Sequence, residues 1–424
     1  MNNGELEEGQ EGAHEGSRHP RWVRVNTLKS TLEKQLSSTF AGYMRADSLN
    51  SIMSAAGSAN IYFEDPNIPN LLAFPPRINL SKSRAYTSSQ IILQDKASCF
   101  PAYLLDVTHN DGDVIDGCAA PGNKTTHLAA IVSETMSTNK QQKVIAFERD
   151  KTRAGTLQKM VKLASADALV KVKAGADFLA TVPDSQEFAN VGAILLDPSC
   201  SGSGIVGRDE AIQMHLPEAR VESASTNNNK SKKRKRDDKK SEASNTKTTL
   251  SVTLEDSTPE ETPTEDKTTE RLTALSTFQF RILTHAMRFP RARKITYSTC
   301  SIHFEENEGV VARALAADVA KKGGWRILGR EYQVAGLKNW TRRGVWEAEK
   351  VGEDVELTPG QQEEICESCI RCEKGTNEGT MGFFVAAFVR DSGWEQDAVS
   401  DGATEEEDEW SGFSDDDGDN EPAK

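Results

Sequence analysis

The chain of 424 residues is long enough for two or three domains, and with 27% of its residues charged it is too polar to be packed throughout. Its net charge of −14 is concentrated at the ends: residues 391–424 carry fourteen acidic residues against one basic, and residues 1–17 carry five acids and no base, which leaves 18–390 at +4 and does not exclude a nucleic-acid partner. Seven cysteines at no disulfide-framework spacing and a start without a basic region before an apolar one read as an intracellular chain with reduced thiols, and the lack of any run near the roughly 18 apolar residues of a membrane helix excludes a helical membrane span.

In chain order, an acidic leader over 1–17, expected to be disordered, precedes a small domain over 18–90. Its segment "RHPRWVRVNTLK" sets Arg18, Arg21, Arg24 and Lys29 around Trp22, a pattern that can hold phosphates and stack a base. From about residue 112 short apolar runs bounded by Gly, Asp or Pro occur at "GDVIDGC", "KVIAFE", "ALVKVKAGAD", "GAILLDPS", "KITYSTC" and "GFFVAAFVR". Helical patterns such as "THLAAIVSETM", "TLQKMVKLA" and "FQFRILTHAMRF" separate them, which predicts a mostly parallel sheet wrapped by helices over 91–221 and 271–390. Between these halves, residues 222–270 hold almost no large apolar side chain and are expected to form a disordered insertion. Within it, "KSKKRKRDDKK" at 230–240 is a basic cluster of the kind read by a nuclear import receptor or a polyanion. "FPRARK" adds Arg291, Arg293 and Lys294 as further phosphate candidates, and the acidic tail 391–424 is expected to be a solvated, disordered arm.

In a parallel sheet ligands bind beyond the carboxyl ends of the strands. The first strand of the series ends in "DGCAAPGNKTTHLAA", a Gly-rich turn entering a helix, so Cys118, Ala119, Ala120, Pro121, Gly122, Asn123 and Lys124 are cofactor candidates. A dinucleotide fingerprint is absent, and Asn123 separates Gly122 from Lys124 where a phosphate-binding Walker loop would not. Glu148 ends the second strand, placed for ribose hydroxyls, and Asp177 follows the third, near an adenine. Together these suggest an adenosine ligand without a polyphosphate, which S-adenosylmethionine fits.

"DGCAAPGNKT", "DPSCSGSG" and "TYSTCSIHFEENEGVV" together resemble the Nop/Sun family of RNA (cytosine-C5) methyltransferases. "PGNKTTHLAA", "IPNLLAFPP" and "ILQDKASCFPAYLL" are similar to the subgroup acting on large-subunit (25S/28S) ribosomal RNA, and the match runs from about Arg21 to Arg390 apart from the insertion. The resemblance implies a Rossmann-like class I S-adenosylmethionine-dependent methyltransferase sheet, α/β in class, behind a small α+β N-terminal RNA-binding domain. It implies Cys300 as the nucleophile that adds to carbon 6 of cytosine and Cys200 as the residue assisting release. Asp197, three residues before Cys200, is placed to bind the N3 and N4 edge of the base and borders the cofactor site as well. Ribosomal RNA with a single-stranded or flipped cytosine, pre-ribosomal particles and a nuclear, nucleolar location follow as expectations. The alternatives are a non-catalytic ribosome-assembly factor and a 5-methylcytosine methyltransferase for another RNA such as tRNA. Members of the subgroup usually carry a long helical region before the stretch matching "RVNTLK", where this sequence has the acidic leader. "CESCIRC" brings Cys366, Cys369 and Cys372 close in sequence, but without a fourth ligand at suitable spacing no metal is expected; the resembling family has a helix there.

Overall fold

A computed structural model describes residues 19–57, 59–136, 142–205, 265–352 and 355–390. The acidic leader, Arg18, the basic cluster 230–240 and the acidic tail lie outside the described residues, as does the expected insertion up to residue 264. Its last six residues, 265–270, belong to the helix Glu265–Ala286, because a helix nucleated on its apolar half propagates toward its polar start.

Residues 19–93 build a sheet of five strands: β1 Arg21–Val25, β2 Met44–Arg45, β3 Ile61–Glu64, β4 Leu71–Phe74 and β5 Ile91–Leu93. Their order is β2-β3-β4-β1-β5, antiparallel except for the β2–β3 pair. Val23, Leu72 and Phe74 pack with Phe40, Tyr86 and Ile91 on one side, while Trp22, Leu71 and Ala73 turn toward the rest of the molecule, the alternation a half-covered sheet requires.

The second sheet has eight strands, β6 Asp113–Asp116, β7 Val144–Glu148, β8 Val170–Ala174, β9 Val191–Leu196, β10 Lys294–Thr299, β11 Trp325–Ile327, β12 Ile370–Cys372 and β13 Phe383–Arg390. The order β11-β13-β10-β9-β6-β7-β8 is parallel from β10 to β8, and β12 pairs the free stretch of β13. β13 runs antiparallel to both β10 and β11. Strands β9 and β13 are buried on both faces, as expected of a sheet covered by helices. The "CESCIRC" stretch leaves its helix, Pro359–Ser368, and becomes β12; Cys369 and Cys372 are buried in two different apolar clusters rather than on one helix face.

The two sheets are locked together by polar groups. Lys96, 3% exposed, pairs with Asp65 at 2.5 Å and lies between the rings of Trp22 and Trp340. The Trp22 indole donates to Gly379 O at 2.6 Å and the Asn26 amide to Ala164 O at 3.0 Å. Trp22 is therefore a buried anchor and corrects the expectation of a base-stacking ring.

Candidate active site

The carboxyl ends of β6, β9 and β10 converge. β6 delivers Asp116 and the turn that follows it, β9 delivers Asp197 and the loop of Cys200, and β10 delivers Cys300. Residues 118–124, Glu148 and Asp177 all lie at this end of the sheet.

Gly122 caps the helix Asn123–Thr135 with φ +116°, a conformation that excludes a side chain, and an added Cβ would press on Leu157 and Met160 at 3.1 Å. The turn departs from the expectation in one respect. The N–H groups of Gly117, Cys118 and Ala119 are already taken by Leu195 O, Asp116 Oδ1 and Phe147 O at 2.9, 3.3 and 2.9 Å, so Cys118 and Ala119 shape the turn and do not offer those donors to a ligand. Pro121 has no N–H to give. Glu148 is buried, with Oε1 fixed by the Asp150 N–H at 2.9 Å and Oε2 3.8 Å from Arg153, which leaves a rigid acceptor for two hydroxyls. Asp177 caps the turn after β8 through Leu179 N–H at 2.9 Å. Two carboxylates and a positive helix end form a set that fits an adenosine with a sulfonium.

Lys124, in the first turn of that helix, is held on the side of Asp197 and Cys300. Its Nζ reaches Asp197 Oδ2 at 2.8 Å and Ser98 Oγ at 3.1 Å, and it stands 5.3 Å from the centre of the Phe383 ring. Burial pushes its ammonium down, but Asp197 and Cys300 outweigh that and hold it above the usual lysine range. The other Asp197 oxygen accepts the Ser298 hydroxyl at 2.6 Å. Asp197 keeps 27% of its side chain exposed, and each oxygen retains a second lone pair for a substrate.

Cys200 and Cys300, one hundred residues apart, meet with their sulfurs 3.1 Å apart, and both are free thiols. Either sulfur can donate in that contact; the bond with Cys200 and then the Lys124 field hold the Cys300 thiol below its ordinary range, against burial and Asp197. The same bond, with burial, pushes Cys200 far up. Three serine hydroxyls stitch the loops together: Ser201 Oγ lies 3.0 Å from Ser203 Oγ and 3.1 Å from Ser301 Oγ, and Ser203 and Ser301 lie 3.3 Å apart. Gly204 N–H closes onto Cys300 O at 2.9 Å.

Asp116, not singled out in the sequence, is fully buried beneath the site; burial pushes its carboxyl up to about 7, against the Thr125 hydroxyl at 2.7 Å and the Cys118 N–H. Its signal was a strand-final acid before the Gly-rich turn. Ser98 and Ser298 were also passed over, since a lone serine carries no pattern.

The phosphate candidates fare unevenly. Arg24 is 1% exposed, donating to Gln94 at 2.7 Å and to Thr126 at 3.1 Å, and burial lowers its guanidinium to about 10, so it is a structural bolt and not an RNA contact. Lys29 is tied to Leu163 O at 2.9 Å, and Lys294 is held by Asp106 O at 2.6 Å and Asp111 at 3.1 Å. Arg21 is half-buried, and Arg291 and Arg293 are exposed. The last two precede β10, and at about 3.3 Å per residue Arg293 lies about 20 Å from Cys300, at the opposite end of that strand.

This sheet, with a carboxylate after its second strand and a Gly-rich turn after its first, is the fold of the class I methyltransferases, whose methyl donor is S-adenosylmethionine. A family profile described as "16S rRNA methyltransferase RsmB/F" matches residues 102–258, and one described as "NOL1/NOP2/Sun domain family member 5, ferredoxin-like domain" matches 19–94. The chain is 37% identical to the 25S rRNA (cytosine-C(5))-methyltransferase of Schizosaccharomyces pombe over 368 residues, 87% of this chain and 62% of that protein. It is 34% identical to the 28S rRNA (cytosine-C(5))-methyltransferase of Mus musculus over 375 residues, 88% of this chain and 62% of that one. Against the 26S rRNA (cytosine-C(5))-methyltransferase of Caenorhabditis elegans it is 30% identical, over 88% of this chain and 67% of the other. It therefore spans about three fifths of the length of the first two relatives. A solved methyltransferase homolog from Pyrococcus horikoshii shares the fold, with a TM-score of 0.55 and 19% identity over 88% of this chain and 87% of that one. The chain belongs to the Nop/Sun family of RNA (cytosine-C5) methyltransferases, in the subgroup named for large-subunit ribosomal RNA.

Proposed function

We propose that the protein forms 5-methylcytosine in large-subunit ribosomal RNA, in the nucleus and on pre-ribosomal particles in the nucleolus. The observation that carries this reading is the pair of thiols 3.1 Å apart beside the Lys124–Asp197 ion pair, an arrangement a small-molecule methyltransferase does not need. The names of its relatives support ribosomal RNA as the substrate. The small N-terminal domain would contribute RNA binding, with Arg21, Arg291 and Arg293 as exposed or half-exposed cations, and the basic cluster 230–240 would serve an import receptor.

Carbon 5 of cytosine is a weak nucleophile until a thiolate adds at carbon 6. The Cys300 sulfur forms that bond, and the electron pair released from the ring double bond becomes available at carbon 5. Asp197, held by Lys124 and Ser298, keeps a lone pair on each oxygen for the N3 and N4 edge and stabilises the protonated base. S-adenosylmethionine, when bound against Glu148, Asp177 and the helix end at 122–124, supplies the methyl group. Solvent then takes the proton on carbon 5, and the electron pair of that bond restores the ring double bond as the sulfur–carbon bond breaks and its pair leaves on Cys300 as the thiolate. Cys200, 3.1 Å from that sulfur and with its thiol pushed up, donates a hydrogen bond that stabilises the departing thiolate and so assists release.

Bisulfite sequencing of large-subunit rRNA from cells with and without the protein tests the reading. One cytosine should lose its protection when the protein is absent. Unchanged large-subunit rRNA with protection lost from a tRNA would replace it with the tRNA alternative, and no change anywhere would favour an assembly factor.

A further inference from the structure

Directly behind the two cysteines lie polar side chains with no exposed surface and no part in the chemistry above: Gln279, Thr299, Glu306 and Asn307. Glu306 and Asn307 are consecutive, yet each serves a different cysteine. Glu306 Oε1 accepts the Ser201 N–H at 2.9 Å and the Gln279 amide at 2.9 Å, and that same amide donates to Ser199 O at 3.0 Å, so the residues on both sides of Cys200 are held. Asn307 Oδ1 accepts the Thr299 hydroxyl at 2.6 Å and Nδ2 donates to Ser301 O at 2.9 Å, so the residues on both sides of Cys300 are held. The turn itself is anchored by the Tyr297 hydroxyl, which donates to Glu306 O at 2.5 Å. Glu306 Oε2 is buried without a hydrogen-bond partner, an unfavourable way to spend a carboxylate unless its other oxygen has work that outweighs the burial.

We infer that Glu306 and Asn307 are positioning residues that set the two sulfurs against each other, Glu306 acting through the Cys200 loop and Asn307 through the Cys300 loop. The inference rests on the proposed reaction and on its division of labour between the cysteines. It follows that two neighbouring side chains control two different steps. Loosening the Cys300 loop slows addition to the base, and loosening the Cys200 loop slows release of the methylated product.

The test follows covalent adduct on a large-subunit rRNA transcript in single-turnover reactions of the full chain with S-adenosylmethionine. Glu306→Ala should release adduct about tenfold more slowly, the loss expected for one hydrogen bond, and slow addition by less than that, so that adduct accumulates. Asn307→Ala should form adduct about tenfold more slowly and accumulate none. Glu306→Gln, which keeps an oxygen where Oε1 stands, should restore release. If both alanine variants slow the two steps alike, or Glu306→Ala builds up no adduct, the inference is overturned. Should Glu306→Ala fail to fold, Gln279→Ala removes the donors to Ser199 and Glu306 and carries the same expectation of accumulated adduct. A parallel Cys200→Ala reaction separates the levels of the argument: if it traps adduct and Glu306→Ala does not, only this inference falls, and if it traps none, the proposed cysteine roles fall first.

Discussion

Replacing Lys124 by methionine keeps the length of the side chain and removes the cation that faces both Asp197, at 2.8 Å, and Cys300. In the intact site the Cys200 hydrogen bond and then Lys124 favour the Cys300 thiolate, while burial and Asp197 oppose it. Without Lys124 the Cys200 bond and a backbone hydrogen bond at Cys300 are left to oppose them, and loss of one close opposite charge raises a thiol by about 1–3 pH units. Each unit lowers the thiolate fraction at neutral pH about tenfold. A thiol held low is thiolate above that low value, so the rate of adduct formation rises with pH through it. In Lys124→Met the rising limb should move to higher pH, with addition lost at neutral pH and recovered in alkali. Single-turnover adduct formation across a pH series, with iodoacetamide labelling of Cys300 as a second readout, measures the shift. A profile that stays in place, or a loss of equal size at every pH, would show that Lys124 does not act on the thiol.

Asp116 should make stability pH-dependent. Its carboxyl is pushed up to about 7 in the fold and titrates near 3.9 when unfolded, so between these values the native state binds the extra proton and stability falls as pH rises, by about 1.4 kcal/mol per unit. Asp116→Asn should flatten that fall in denaturant titrations, and an unchanged slope would contradict the assignment. Lys96→Met leaves Asp65 buried without its cation and should destabilise by about 3–5 kcal/mol, read as a lower midpoint at constant m; a loss below about 1 kcal/mol would refute it. The double variant Arg291→Ala, Arg293→Ala should weaken RNA binding and reduce the salt slope by about 2, leaving adduct formation at saturating RNA unchanged. A slower single-turnover rate at saturation would place those arginines in the reaction instead.

The parallel part of the sheet was legible because its strands are apolar runs closed by Gly, Asp or Pro, and the same punctuation put Glu148, Asp197 and Cys300 at strand ends. Direction and pairing were not: "GFFVAAFVR" reads the same whether parallel or antiparallel, and it is β13's neighbours β10 and β11 that settle it. Charge was the weaker guide. Arg24 and Trp22 alternate as an RNA-facing strand would, yet Arg24 is covered by a helix one hundred residues later in the chain, and Trp22 by the Gly379 turn. Lys124 read as a cofactor residue because it follows a Gly-rich turn, and only the fold turns it onto Asp197. Gln279 had no signal at all, being one polar residue in a helical pattern whose importance depends on two loops far from it in sequence.

The division of roles between the cysteines is tested most directly by incubating Cys200→Ala and Cys300→Ala with large-subunit rRNA and S-adenosylmethionine and resolving protein–RNA adducts on a denaturing gel. Cys200→Ala should accumulate a covalent complex carrying methylated cytosine, and Cys300→Ala should form neither adduct nor product. A trapped complex with Cys300→Ala, together with normal turnover by Cys200→Ala, would reverse the assignment and contradict the account.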